Sequence, residues 1–318
     1  MGKKLFAIVV ALALVALSVA SCAKPAPAVN IGYGSDIDPA DVADQMGFDL
    51  LDAKYKVQVT AFNEDNQVIA GLIKGQLQIG NIGLPDTIKA IQMGVPLKII
   101  MFANMRMEYI QIGQPGITKV TDLRGKKVAF HAIGSGTEIL PKELVKGAGM
   151  KLEDVVWVTL PESPNRAAAM AAKRIDSTAL EFADYLTLIE QGYDFPIIGS
   201  FGETFPQAIA SCFVVTEDYA AKNEEFLKAF VTALLDGFAK ADSDKTAWME
   251  YCIRMCPNRV NEDKASKTYD FYKKIGMFPL QPVFTQERWD AMNTFFIGTG
   301  EYENPAPVTD FLTSLLPN

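Results

Sequence analysis

Histidine occurs once in this 318-residue chain, tryptophan three times and cysteine four times. With His131 alone, a histidine-built metal site has no ligand set. The chain also lacks a Walker-type phosphate loop, a nucleophile elbow and any zinc-type spacing of ligands. Positive charge is scarce as well, 30 Lys and Arg against 38 Asp and Glu. Without Lys3 and Lys4 the balance is 28 to 38, a net charge of −10. That deficit excludes a phosphate-gripping surface and so a nucleic-acid partner. It also excludes a broad electrostatic hold on anionic lipid. Beyond the first 22 residues, no apolar stretch is long enough to span a bilayer.

What is present begins at the N-terminus. Lys3 and Lys4 precede an apolar run from Leu5 to Leu17, and Val19-Ala20-Ser21-Cys22 closes it. A positive start, a short apolar run and small residues make a secretory signal. At about thirteen residues the run falls short of the roughly twenty that a membrane span needs. Small residues before a cysteine resemble a lipobox, so Cys22 is expected to carry lipid and to become the mature N-terminus. The expected location is extracytoplasmic, on a membrane reached through the lipid anchor only. Secretion with ordinary cleavage is the competing reading. Residues 23–28 would then be a short tether.

With Cys22 assigned to lipid, three cysteines remain. Cys212 lies in Ile209–Val215, which reads as a buried strand and makes it a core thiol. Cys252 and Cys256 lie four apart on a predicted helix, where a local disulfide and two free thiols both remain open. No metal and no cofactor is expected. Hydrophobic residues make up 49% of the chain. A mature length near 300 residues suits two domains better than one.

Strand-like and helix-like segments alternate after the tether. Val29–Tyr33 reads as a strand, and Asp38-Pro39 as an N-cap with proline in the first turn of a helix stopping at Gly47. Strands are predicted at 55–60, 77–81 and 97–103, with helices at 67–74 and 85–93. The pattern restarts with strands at 128–130, 155–160 and 177–180 and helices at 138–148, 166–173 and 183–190. Ile209–Val215 is the last clear strand, and the remainder is helical: 224–241, 245–255, 262–275 and 286–296. Such alternation predicts α/β layers with mainly parallel pairing. Met101, Met105 and Met107 read as core packing, as do Phe226, Phe230, Leu234 and Phe238.

Three stretches carry a family resemblance: Leu72–Gly80, Asp122–Ala129 followed by Gly134-Ser135-Gly136-Thr137, and Ala169–Ser177. In order and spacing, residues 29–315 resemble the periplasmic substrate-binding proteins of ABC importers, nearest the nitrate, sulfonate/taurine and thiamine-pyrimidine-precursor branch. Two positions depart from that pattern, Gln78 where aspartate is usual and Arg174 where glycine is usual. The resemblance implies an α/β, two-lobed periplasmic-binding-protein fold of type II, with a ligand cleft between lobes and a helical C-terminal region. Lobe 1 would comprise 29–112 with 210–318, and lobe 2 residues 113–209.

Ligand groups are expected on loops after strand C-termini, where open α/β sheets bind. Tyr33, Ser35 and Asp36 form the first loop, with Tyr33 as a stacking surface. Asn81 and Gly83 form the second. His131, Ser135, Gly136 and Thr137 form the third, where a helix N-terminus suits an anionic or polar group. The fourth holds Asn165 and Arg166, the arginine placed to grip a carboxylate or sulfonate, together with Glu181 and Phe182. Glu181 ends an apolar strand, which calls for an amine or ring N–H on the ligand. The implied function is capture of a small-molecule solute by lobe closure, as a monomer, for an ABC permease and its ATPase. An enzyme related to pyrimidine synthesis and a sensory lipoprotein are the alternatives.

Overall fold

In the computed structural model, residues 28–51 and 55–317 are described. The expected signal, Cys22 and the tether up to residue 27 lie outside the described residues.

The first layer is built from β1 (Ala28–Tyr33), α1 (Val42–Phe48), β2 (Lys56–Ala61), α2 (Asp65–Ile73), β3 (Ile79–Gly83), α3 (Leu84–Gln92) and β4 (Leu97–Phe102). Val29, Ile31 and Tyr33 alternate along β1 and are all buried, as period two requires. Gly75 and Gly94 follow α2 and α3 in the left-handed conformation, the usual way to end a helix. Asp38 caps the 3₁₀ turn Pro39–Asp41, its carboxylate accepting the Ala40 N–H at 2.6 Å.

The second layer holds β5 (Tyr109–Gly113), β6 (Lys127–Phe130), α4 (Gly136–Gly147), β7 (Val156–Thr159), α5 (Ser163–Ala171), β8 (Ser177–Glu181), α6 (Phe182–Glu190), β9 (Ile197–Ser200) and α7 (Phe201–Thr204). The chain then returns through β10 (Ser211–Thr216) and continues as α8 (Glu217–Lys222), α9 (Glu224–Ser243), α10 (Lys245–Met255), α11 (Glu262–Ile275) and α12 (Gln286–Thr299). Two five-stranded sheets result, ordered β2-β1-β3-β10-β4 and β7-β6-β8-β5-β9. The orders match strand for strand, so the two layers repeat one plan.

Mainly parallel pairing was expected, and here the structure differs. β1 pairs in parallel with β2 and β3, and β6 with β7 and β8. β10 enters the first sheet antiparallel to β3 and β4, while β5 enters the second antiparallel to β8 and β9. Each sheet therefore accepts a strand running against its neighbours, delivered where the chain crosses between layers. β5 and β9 also add two strands that the alternation of segments did not reveal. The crossings run through 103–108 and 205–210 and bond to each other: the Ala103 N–H donates to the Ser211 carbonyl and the Ala210 N–H to the Asn104 carbonyl, both at 3.0 Å.

A matching clamp fixes the central strands of each layer. In the first, the Gln78 N–H donates to the Asn30 carbonyl at 2.9 Å, and the Gln78 side-chain oxygen accepts the Asn30 N–H at 2.8 Å. In the second, the Asp176 N–H donates to the Lys127 carbonyl at 2.9 Å, and its carboxylate accepts the Lys127 N–H at 2.7 Å. Gln78 thus supplies the acceptor that aspartate supplies in the other layer, which explains why that departure leaves the fold intact.

Gly47 does not stop its helix, because α1 continues to Phe48. Its role is contact: α1 and α9 touch backbone to backbone. A Cβ added at Gly237 would lie 2.3 Å from the Gly47 nitrogen, and one at Gly47 would lie 2.8 Å from the Leu234 Cα. Alanine favours a helix by about 1 kcal/mol over glycine, but overpacking against backbone has no side chain to yield. Gly237→Ala is therefore expected to lose about 2 kcal/mol in urea denaturation. Equal or higher stability would refute the close approach.

Phe226, Phe230, Leu234 and Phe238 are buried on α9, and Met101, Met105 and Met107 are buried as well. Cys212, Cys252 and Cys256 are free and buried, so the open question at the last two resolves to unpaired thiols. Helix α11, from the segment expected to belong to lobe 1, packs on α6 of the second layer. There Phe271 stacks on Phe182 at 4.2 Å between ring centroids. Among the described residues, no helix is long and apolar enough to cross a membrane.

Candidate functional site: an acidic cleft between two sheets

Strand ends and crossing segments of both layers enclose a cleft of about 1150 Å³. Tyr33, Ala61, Asn81 and Gly83 approach it from the first sheet, and His131, Thr159 and Glu181 from the second. Its floor comes from the crossings: Asn104, Met107 and Glu108 on one, Ala210 and Ser211 at the end of the other. The parallel strands present their C-terminal ends here, where their helices begin and where backbone groups are free to meet a ligand.

Carboxylates dominate the first wall, with Asp38, Asp41, Asp65 and Asp86 bordering the cleft and Asp44 bonded to the bordering Tyr33 and Asn81 without lining it. Asp44, fully buried on α1, accepts the Tyr33 hydroxyl at 2.9 Å and the Asn81 amide at 3.0 Å, both on Oδ2. Its Oδ1 has no partner among the described residues. Burial, only partly offset by those two neutral donors, pushes the Asp44 carboxyl up to about 8. Asp41 accepts the Asp38 N–H at 3.0 Å. Burial and the neighbouring Asp65–Asp86 contact push Asp65 up to about 7, although it accepts the Gly83 N–H at 2.9 Å.

Opposite stands the one basic side chain that needs tertiary structure to find. Arg259, in the loop between α10 and α11, donates through one terminal nitrogen to Glu181 and, at 2.9 Å, to Asp184. Its side chain is 19% exposed, against 10% for Glu181 and 8% for Asp184. Burial opposes its charge, yet Glu181, Asp184 and Asp38 outweigh burial and hold Arg259 protonated. Glu108 faces the same space, 5% exposed. Burial pushes it up to about 8, opposed by its own backbone N–H and by Arg259.

On the far wall His131 is partly buried. Its ring Nδ1 accepts the Glu162 N–H at 3.1 Å, so the neutral ring carries its proton on Nε2. Burial lowers its pKa, with Glu162 pulling the other way. Its backbone N–H donates to the Thr137 hydroxyl at 3.0 Å, and Ser135 and Thr137 hydroxyls lie 3.0 Å apart. The Gly134 N–H donates to Glu138 Oε2 at 2.6 Å.

Residues 42–245 match the model of the family described as NMT1/THI5 like, well over half of the chain. The chain belongs to this family. It is 25% identical over 242 residues to the taurine-binding periplasmic protein of Escherichia coli K12, covering 74% of this chain and 73% of that one. In structure it is similar to the ligand-binding component of an ABC-type import system from Staphylococcus aureus solved with zinc bound. That likeness has a TM-score of 0.74 at 17% identity and covers 91% of this chain and 97% of the other. The alkanesulfonate-binding protein of Xanthomonas axonopodis pv. citri bound to MOPS gives a TM-score of 0.70 at 17% identity, covering 91% and 99%. These structures share the two-lobed periplasmic-binding-protein fold, with the helical C-terminal region present here.

In this NMT1/THI5-like chain, ten of the residues singled out from sequence border the cleft: Tyr33, Ser35, Asp36, Asn81, Gly83, His131, Ser135, Gly136, Thr137 and Glu181. Tyr33 does so with its ring buried and packed edge-on against Phe213, which leaves no free face for the expected stacking. Three others lie elsewhere. Arg166 is 1% exposed and spends its guanidinium on the carbonyls of Ala179, at 3.0 Å, and Leu160, at 3.3 Å. An arginine on the first turn of a helix beside a strand end satisfies buried carbonyls more readily than a ligand across open space. Asn165 is exposed outside the cleft wall, and Phe182 is turned to Phe271.

Sequence reasoning passed over Asp38, Asp41, Asp44, Glu108 and Arg259. Asp38 was read only as a cap, although Asp38, Asp41 and Asp44 at spacing three mark one helical face. Glu108 and Arg259 carry no local signal. Arg259 also falls outside the segment that the family model matches.

Proposed function

We propose that the protein captures a small polar organic solute in the cleft and delivers it to an ABC permease and its ATPase. The observation that carries this is the construction of the cleft. Both sheets wall it, and among the described residues the chain passes from one sheet to the other only through the two crossings that form its floor. Rotation about two short adjacent segments closes such a cleft while each sheet stays intact, the α11–α6 contact and the Arg259 tie being the packing that must shift with it. The names of the E. coli and Xanthomonas relatives support solute binding as the shared activity. Lipid on Cys22 would hold the trap outside the cytoplasmic membrane and raise its concentration near the permease.

Mass spectrometry of protein purified under native conditions should detect a stoichiometric small molecule. Small-angle scattering should show a smaller radius of gyration with that solute added back. A purified protein that retains no solute, takes none up and shows no contraction would defeat the proposal. Separately, Cys22→Ser is expected to abolish incorporation of a labelled fatty acid and to release the protein from membranes. Unchanged labelling would sink the anchor.

A further inference from the structure

We propose that the captured solute carries a positively charged nitrogen, an ammonium or amidinium, seated between Glu108 on the cleft floor and Asp38 and Asp41 at the start of α1. This rests on the solute-capture reading above and deepens it.

The charge inventory of the cleft is lopsided. Nine carboxylate side chains border it, and Arg259 is the only lysine or arginine among the bordering residues. Arg259 is already engaged by Glu181 and by Asp184 behind it. One guanidinium cannot balance two carboxylates and also serve Asp38, Asp41 and Glu108.

Those three are buried and hydrogen-bonded by backbone alone, with Arg259 acting on Asp38 and Glu108 only through its charge. Asp38, 8% exposed, accepts the Ala40 N–H, and Asp41, 6% exposed, accepts the Asp38 N–H. Glu108 is the clearest case. It is 5% exposed, borders the cavity, and among the described residues its carboxylate meets no donor except its own backbone N–H. A carboxylate taken out of water without a cation or several donors is costly. Here the missing cation has a cavity to arrive through.

Two alternatives are met by observation. A metal ion needs a compact set of ligands, and among the described residues no group of three or more His, Cys, Asp or Glu is placed to hold one. An anionic group would need the N-terminus of α4 at Gly136 or the guanidinium of Arg166 or Arg259. The Glu138 carboxylate, accepting the Gly134 N–H, sits over the first turn of α4 and opposes an anion there, Arg166 points into its own layer, and Arg259 is held by Glu181 and Asp184. An organic cation, wider than a metal ion, suits carboxylates set on the floor and one wall of the cleft.

The test is a thermal-shift and calorimetry screen of the full protein. One pool holds putrescine, arginine, choline and thiamine; the other holds ethanesulfonate, nitrate and benzoate, which carry no basic nitrogen. A saturable shift from a member of the first pool, and none from the second, is the expected result. For that binder, Glu108→Gln should weaken affinity by roughly tenfold or more, and so should Asp38→Asn, which keeps the cap acceptor. Affinity should also fall with added salt. Binding confined to the second pool overturns the charge assignment while leaving solute capture standing. Unchanged affinity in both variants overturns the assigned seat. Absence of binding in either pool overturns capture and charge together.

Discussion

Arg259→Ala is expected to cost about 3–5 kcal/mol in urea denaturation, the usual loss when one partner of a buried ion pair is removed. The substitution strands Glu181 and Asp184, which are 10% and 8% exposed, because the other nearby cation, Arg166, spends its hydrogen bonds on backbone carbonyls. It also frees a tie between the loop before α11 and the second layer. Neighbouring contacts remain there, the Asn261 amide to Glu190 at 2.7 Å and Lys264 to Glu190 at 3.1 Å. The C-terminal helices should therefore loosen from α6 rather than detach. Glu181→Gln in the Arg259→Ala background should recover part of the loss by removing one stranded charge, the non-additivity expected of direct partners. A cost below about 1 kcal/mol, the value of an exposed pair, would show that the cluster is solvated and the latch unimportant.

The second large effect is a loss of stability as pH rises without ligand. Asp44 and Glu108 titrate at about 8 and Asp65 at about 7 in the folded protein, against roughly 4 for an unfolded carboxyl. Between those limits the native state holds more protons than the unfolded state, so stability falls with increasing pH. The contribution is fully present below about 4 and is lost as pH passes through 7 to 8. Asp38, Asp41, Glu181, Asp184, Arg259, Tyr33 and Asn81 face these groups from the surrounding elements. Burial raises Asp38, Asp41 and Glu181 as well, and Asp86 beside Asp65, which reinforces the direction, while Arg259 opposes it. Between pH 5.5 and 8.5 the melting temperature should drop on the order of 5 °C. Asp44→Asn keeps the acceptor for Tyr33 and Asn81 but removes the charge, so its profile should be flatter. A wild-type melting temperature that is constant or rises across this range contradicts the burial of uncompensated carboxylates.

Much of the architecture was legible because helices and strands are written in short-range periodicity. Leu97–Ala103 reads as a nearly continuous apolar strand, observed at Leu97–Phe102, Gly75 and Gly94 mark helix ends, and Asp38-Pro39 marks a start. Residues 245–255 and 262–275 were bounded as the structure has them. β9 escaped notice because only its first two residues, Ile197 and Ile198, are apolar, with Gly199 and Ser200 completing it. β5 follows a methionine-rich crossing that blurs its start, although Ile110 and Ile112 alternate with Tyr109 and Gln111. The antiparallel placement of β5 and β10 has no local signature, since direction in a sheet depends on which layer the chain enters.

The site divides along the same line. Sequence alone set the order of elements, the acidic balance of the chain and the loops that would border a cleft, each a property of neighbours within a few positions. Tertiary structure alone decided which charges meet. It turned Arg166 inward onto carbonyls, carried Arg259 across 78 positions to Glu181, and left Glu108 facing the cavity without an ion pair of its own among the described residues. Periodicity is fixed by local hydrogen bonding and burial, whereas the cost of a buried charge depends on every group within several ångströms, and only the folded chain gathers those groups.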